Sequence, residues 1–84
     1  MKEFESAVQR SKVFTQRPSN EELLKLYGLY KQATIGDNKE ERPGGFDFKA
    51  IAKYDAWAKL SGKSTDEAKN EYIAFVEQQE SKYA

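Results

Sequence analysis

Ser19-Asn20-Glu21-Glu22-Leu23-Leu24-Lys25-Leu26-Tyr27-Gly28-Leu29-Tyr30-Lys31-Gln32-Ala33-Thr34-Ile35-Gly36 reads as a helix with both ends written into it. Ser19 with Glu22 three residues on is a capping box: the hydroxyl takes a first-turn N–H and the carboxylate reaches back to the N–H of Ser19. Leu23, Leu26, Tyr27, Tyr30 and Ala33 or Thr34 recur at spacings of three and four, which gathers them on an inner side. The helix runs to about Ile35, and Gly36 suits a left-handed C-terminal cap.

The rest of the chain falls into the same pattern. Phe4, Ala7, Val8, Ser11 and Phe14 predict a first helix from about Glu3 to Thr15. Pro18 stops it, because the residue before a proline disfavours helix. Residues 36–47 are charged and hold Gly36, Pro43, Gly44 and Gly45, which marks a long loop. Asp47 predicts the N-cap of a third helix with Ile51, Tyr54, Trp57 and Leu60 at spacings of three. Phe46 is placed to pack back as a hydrophobic staple. Gly62 ends that helix. Ser64-Thr65-Asp66-Glu67 is a second capping box, opening a fourth helix to about Tyr83 whose stripe is Ala68, Tyr72, Phe75, Val76 and Tyr83. There is no internal repeat and no strand pattern. Caps and periodicity agree at every joint, so the expected fold is an all-α bundle of four helices in a single domain over residues 1–84.

Composition limits the function. A chain of 84 residues makes one domain and buries only about 60% of its unfolded surface. It has no Cys, hence no disulfide, thiolate nucleophile or thiolate metal ligand. It has no His, which removes the usual general base near neutral pH and the commonest transition-metal ligand. Fourteen basic residues balance fourteen acidic ones, which disfavours a nucleic-acid partner. The longest apolar run, Tyr72-Ile73-Ala74-Phe75-Val76, is too short to span a bilayer, and Met1-Lys2-Glu3-Phe4-Glu5 is too charged for a secretory signal. A soluble cytoplasmic protein is the expectation.

Two tempting motifs fail. Gly62-Lys63-Ser64 resembles the end of a phosphate-binding loop, but Trp57 stands where the pattern needs its first Gly and the segment follows a helix, so it reads as helix punctuation. Asp37-Asn38-Lys39-Glu40-Glu41 lacks the alternating ligands and central Gly of a calcium loop and reads as a solvated loop. No metal ligand set and no catalytic pair emerges.

Chemistry points instead to Tyr27, Tyr30 and Lys31. Tyr27 and Lys31 are four apart on one helix face, with Tyr30 one helical step away. Two aromatic plates beside an ammonium suit an aromatic ring and a phosphate together, as in a nucleotide-like ligand. The same residues also suit a half-buried core edge with a solvated lysine, and by themselves they leave both readings open.

A longer pattern narrows this. Tyr27-x-x-Tyr30-Lys31-Gln32-Ala33-Thr34-x-Gly36-Asp37, then Arg42-Pro43-Gly44, then Asp47-Phe48-Lys49-x-x-Ala52-Lys53-x-Asp55-Ala56-Trp57, with Phe4 and Lys12 before and Glu71-Tyr72-Ile73 after, resemble the acyl-CoA-binding protein family. The resemblance covers nearly the whole chain, in order and without gaps. It implies an up-down-down-up bundle, with the loop over 36–47 as the overhand connection. It also implies a monomeric, non-enzymatic carrier of long-chain acyl-CoA esters in the cytosol, with no cofactor.

The ligand's chemistry accounts for the residues. Coenzyme A carries an adenine, a ribose 3′-phosphate, a pyrophosphate and a thioester-linked acyl chain. Tyr27, Tyr30 and Tyr72 are candidates for the π surface. By resemblance, Lys12, Lys31 and Lys53 are phosphate contacts from three helices, Leu23 and Leu24 line the acyl groove, and Tyr54 lies at the thioester end. Tyr54 stands where the family usually has Trp, Ile51 where many members have Lys, and Val8 where Ala is common near the adenine. These departures bear on chain-length preference and affinity, not on ligand class. Rival classes make different predictions. A small helical DNA binder predicts a basic recognition helix, whereas the helices here mix both signs. A helical protein–protein interaction module predicts an exposed apolar groove without clustered lysines. An acyl-CoA hydrolase needs a nucleophile or base at the thioester, for which neither His nor Cys is present.

Overall fold

Both capping boxes form. Ser19 Oγ accepts from the Glu22 N–H at 3.2 Å while the Ser19 N–H donates to the Glu22 carboxylate at 2.9 Å. Ser64 and Glu67 repeat the exchange at 3.1 and 3.4 Å. In the computed structural model, which describes residues 2–83, they open the second and fourth helices of α1 (Lys2–Ser11), α2 (Asn20–Thr34), α3 (Phe48–Ala58) and α4 (Thr65–Tyr83). Asp47 caps α3, its carboxylate accepting from the Ala50 N–H at 3.1 Å. No strand occurs among the described residues. Met1 and Ala84, the ends of the expected single domain, lie outside them.

Contacts between helices fix the topology. Leu23 and Leu24 share a groove with Phe48, Lys49 and Ala52, Tyr27 meets Lys53, and Lys31 meets Trp57. Numbers rise together, so α2 and α3 run parallel, which only the long 35–47 connection permits. Glu22 meets Gln79 and Lys82, whereas Tyr30 meets Tyr72, so α2 and α4 are antiparallel. Phe4 packs on Tyr72 and Arg10 pairs with Glu80, so α1 and α4 are parallel. The order is up-down-down-up.

The core is Phe4 and Ala7 of α1, Leu26, Leu29 and Ala33 of α2, and Ala68, Tyr72 and Val76 of α4. Each large apolar side chain buried there contributes about 1.5–3 kcal/mol. The single inner stripe expected for α2 is corrected. Leu26 and Ala33 are buried, but so are Gly28, Leu29 and Gln32, while Thr34 is exposed and Tyr30 remains 41% exposed. The reason is position: α2 packs against α4 on one side and α3 on the other, so its buried arc is wider than one stripe. Gln32 is tolerated inside because its amide donates to the Asp37 carboxylate at 2.8 Å and the Lys63 carbonyl at 2.7 Å.

Three expectations about ends also change. The first helix stops at Ser11, not Thr15. Beyond it, the N–H groups of Lys12 and Val13 turn back to the carbonyls of Gln9 and Arg10, and Thr15 gives its N–H and hydroxyl to the Tyr83 carbonyl at 3.2 and 2.6 Å. α3 closes at Ala58; tighter turns carry the chain to Gly62, whose φ of 93° is left-handed. Phe46 makes no staple. It is 89% exposed and edges only against Phe48, ring centroids 6.3 Å apart. Gly36 does take the left-handed cap, at φ 96°.

The long connection is anchored at several points. Asp37, exposed as expected of this loop, is nevertheless tied down: it also accepts from the Gly62 N–H at 2.9 Å, and that bond foremost, then Gln32, lowers its pKa. Trp57 Nε1 donates to the Gly36 carbonyl at 2.8 Å. Arg42 grips Asp55 with two bonds, of 3.1 and 3.0 Å, which raises the pKa of the guanidinium and lowers that of the carboxyl.

Candidate functional site

The parallel packing of α2 and α3 leaves an apolar groove of about 570 Å³ between their N-terminal halves. It is lined by Leu23 and Leu24 from α2 and by Phe48 and Ala52 from α3, together with the cations Lys49, Lys53 and Arg17. Leu23 and Leu24 are half-buried, as lining residues must be if a chain is to reach them.

At the end of this groove two lysines converge on one ring. Lys53 Nζ lies 5.4 Å from the Tyr27 centroid, and Lys31 Nζ lies 5.8 Å from the same ring and 5.4 Å from Trp57. All three distances are within cation–π range. Among the described residues neither ammonium has a carboxylate within 4.0 Å, whereas four other basic residues do. Two like charges around one aromatic ring, without a carboxylate counter-ion among the described residues, make a place that an anion stabilises.

The remaining candidates are distributed around this cluster. Tyr30 points the other way, into a second cavity of about 420 Å³ shared with Phe4, Val8 and Lys69. Phe4 stacks on Tyr30 at 6.1 Å and meets Tyr72 edge-on at 5.2 Å. Tyr72 is only 4% exposed, and its hydroxyl lies 3.0 Å from Ser11 Oγ. Burial, foremost, raises its phenol pKa. Of the three tyrosines, Tyr30 and Tyr27 therefore present accessible face, and Tyr72 stands behind Tyr30. Lys12 is exposed just past the end of α1 and lines neither the groove nor the cavity beside Tyr30. Tyr54 is half-buried on α3, its carbonyl accepting from the Asn38 amide at 3.4 Å. Ile51 is half-buried on the same helix.

Phe48 and Ala52 line the groove and Trp57 stands beside Lys31, although in the sequence they are only motif members. The signal is their spacing: parallel pairing with α2 brings Phe48 and Ala52, four apart, into one groove with Leu23 and Leu24. No group of three or more acidic, His or Cys side chains among the described residues is placed to hold a metal ion. No helix among them is long and apolar enough to cross a membrane.

Fold and site together define a four-helix domain with a cation-rimmed apolar groove. The family model described as "Acyl CoA binding protein" matches residues 1–76. The chain is 51% identical over 84 residues to the acyl-CoA-binding protein of Dictyostelium discoideum, covering 100% of each. It is 49% identical over 82 residues to the Drosophila melanogaster acyl-CoA-binding protein homolog, covering 98% of this chain and 95% of that one. Its structure is similar to that of Oryza sativa acyl-CoA-binding protein 2, with TM-score 0.87, 47% identity and coverage of 92% and 86% of the two chains. The chain belongs to the acyl-CoA-binding protein family.

Proposed function

We propose that this protein binds long-chain acyl-CoA esters and carries them within the cell as a single domain, without acting on them. The observation that carries the reading is the convergence of Lys31 and Lys53 on Tyr27 at the end of an apolar groove. A polyanionic head and an aliphatic tail on one molecule meet both halves of that arrangement. The phosphates engage Lys31 and Lys53, with Lys12 as the third cation. The acyl chain lies over Leu23 and Leu24 toward Phe48, the thioester passes Tyr54, and the adenine stacks against Tyr30 beside Val8, with Tyr72 supporting that ring. A groove built only to dock a partner helix gives no reason for the paired lysines.

Binding of this kind also stabilises the fold, because a ligand held by three helices has no equivalent in the unfolded chain. Titration calorimetry with palmitoyl-CoA and with free palmitate is the test. One palmitoyl-CoA should bind per monomer and far more tightly than palmitate. Equal affinity for the two would refute the assignment, since the lysines would then contribute nothing.

A further inference from the structure

Lys69 belongs to α4 and was not singled out by any sequence pattern. It is half-buried, its ammonium 5.9 Å from the Phe4 centroid, and it lines the same cavity as Tyr30. Among the described residues it has no carboxylate within 4.0 Å and no hydrogen-bond partner, unlike Lys63 and Lys82 on either side of it in the chain. Glu5, from the first turn of α1, lines the cavity too and has no ion-pair partner among the described residues. The cavity therefore holds one side chain that only donates and one that only accepts, next to an aromatic plate.

An adenine stacked on that plate presents the complementary pair on its edge: ring nitrogens that accept and a 6-amino group that donates. We propose that Lys69 and Glu5 read the base of the ligand, Lys69 donating to a ring nitrogen and Glu5 accepting from the 6-amino group. This rests on the acyl-CoA reading above and adds to it a base selectivity. Guanine or hypoxanthine puts a carbonyl where the amino group stood, facing the Glu5 carboxylate. Tyr30 and Lys31 are consecutive, so one nucleotide can place its base here and its phosphates on the Tyr27 cluster.

The test uses the whole protein and three ligands: palmitoyl-CoA, palmitoyl-dephospho-CoA and palmitoyl-phosphopantetheine. Lys69→Met keeps the aliphatic stem over Phe4 and removes the donor. It should weaken binding of both adenine-containing ligands by about tenfold and leave the phosphopantetheine ester unchanged, as loss of one charge-assisted hydrogen bond requires. Lys69→Arg should recover most of the loss. An equal loss with all three ligands would make Lys69 structural and overturn the proposal. A loss that vanishes with the dephospho ligand would assign it to the 3′-phosphate and overturn it too. For Glu5, wild type should prefer adenine over the hypoxanthine analogue of palmitoyl-CoA, and Glu5→Gln should narrow the ratio; an unchanged ratio removes Glu5 from the assignment. Wild type that binds none of these ligands would overturn the acyl-CoA reading itself and the base assignment with it.

Discussion

Replacing Gly28 with Ala should loosen the contact on which the groove depends. Gly28 lies at the middle of α2, where a β-carbon would stand 2.5 Å from the Ala56 carbonyl oxygen, 3.0 Å from its carbon and 3.4 Å from Leu60 Cδ1. The nearest obstacle is backbone, so a rotamer change cannot relieve it and α3 must move. Overpacking of this sort costs about 1–3 kcal/mol, and a clash with fixed backbone belongs at the upper end. Against it, Ala gains about 1 kcal/mol over Gly in a helix interior. The balance is a loss of about 2 kcal/mol, or about 8–16 °C in Tm at the ~4–8 °C per kcal/mol of a domain this size. Gly44→Ala is the control: nothing lies within 4 Å of its β-carbon and its φ is not positive, so it should be neutral or slightly stabilising. Thermal unfolding followed by circular dichroism compares them. The displaced α3 also carries Lys53 away from Tyr27, so palmitoyl-CoA binding should weaken in folded Gly28→Ala protein. A variant as stable as wild type, with unchanged binding, would refute the claim that this close approach sets the width of the groove.

Other perturbations test the charges. Lys31→Ala and Lys53→Ala should each weaken palmitoyl-CoA binding tenfold to a hundredfold by calorimetry, for charge-assisted bonds worth about 1.5–3 kcal/mol, with the fold intact; unchanged affinity in both would move the site elsewhere. Acid should destabilise the protein chiefly through Glu22, whose carboxylate pKa is held well below its ordinary 4.5 by bonds from Tyr83, foremost, then the Ser19 N–H. Its contribution is complete above that value and drains as pH falls, because the unfolded chain takes up the proton first. Urea unfolding should therefore give stability that is flat through neutrality, where no His titrates, and that falls below pH ~4.5, less steeply in Glu22→Gln. Bound palmitoyl-CoA should release CoA thiol no faster than free palmitoyl-CoA over hours near neutral pH; turnover that scales with protein through further purification would overturn the carrier reading.

What could be read from the sequence was local. Caps are short-range chemistry, so Ser19, Asp47 and Ser64 fixed where three helices begin. The groove's own residues, Leu23 and Leu24, and the Tyr27–Lys31 pair followed from spacing and resemblance. What escaped depends on partners distant in the chain. Gly28 reads as a mere weak spot until Ala56 is known to lie against it. Gln32 looks like a surface residue until Asp37 and Lys63 supply its bonds. Phe46 has the position of a staple, but the turn before Asp47 aims it at Phe48 and solvent. Lys69 gains meaning only when α1 brings Glu5 and Phe4 beside it.

Parallel pairing of α1 with α4 has a consequence for how the molecule is made. Arg10 waits for Glu80, and Thr15 for Tyr83, partners seventy and sixty-eight positions further on. During synthesis α2 and α3 can meet early, across a connection of modest length. Before α4 emerges, α1 has only the Tyr30 ring of α2 to set Phe4 against, since its close backbone packing is with α4. Closing so large a loop is entropically costly and comes late, when the first helix finds the last. The cavity beside Tyr30, closed only when α1 and α4 join α2, is thus the final part of the protein to come into being, and the groove between α2 and α3 the first.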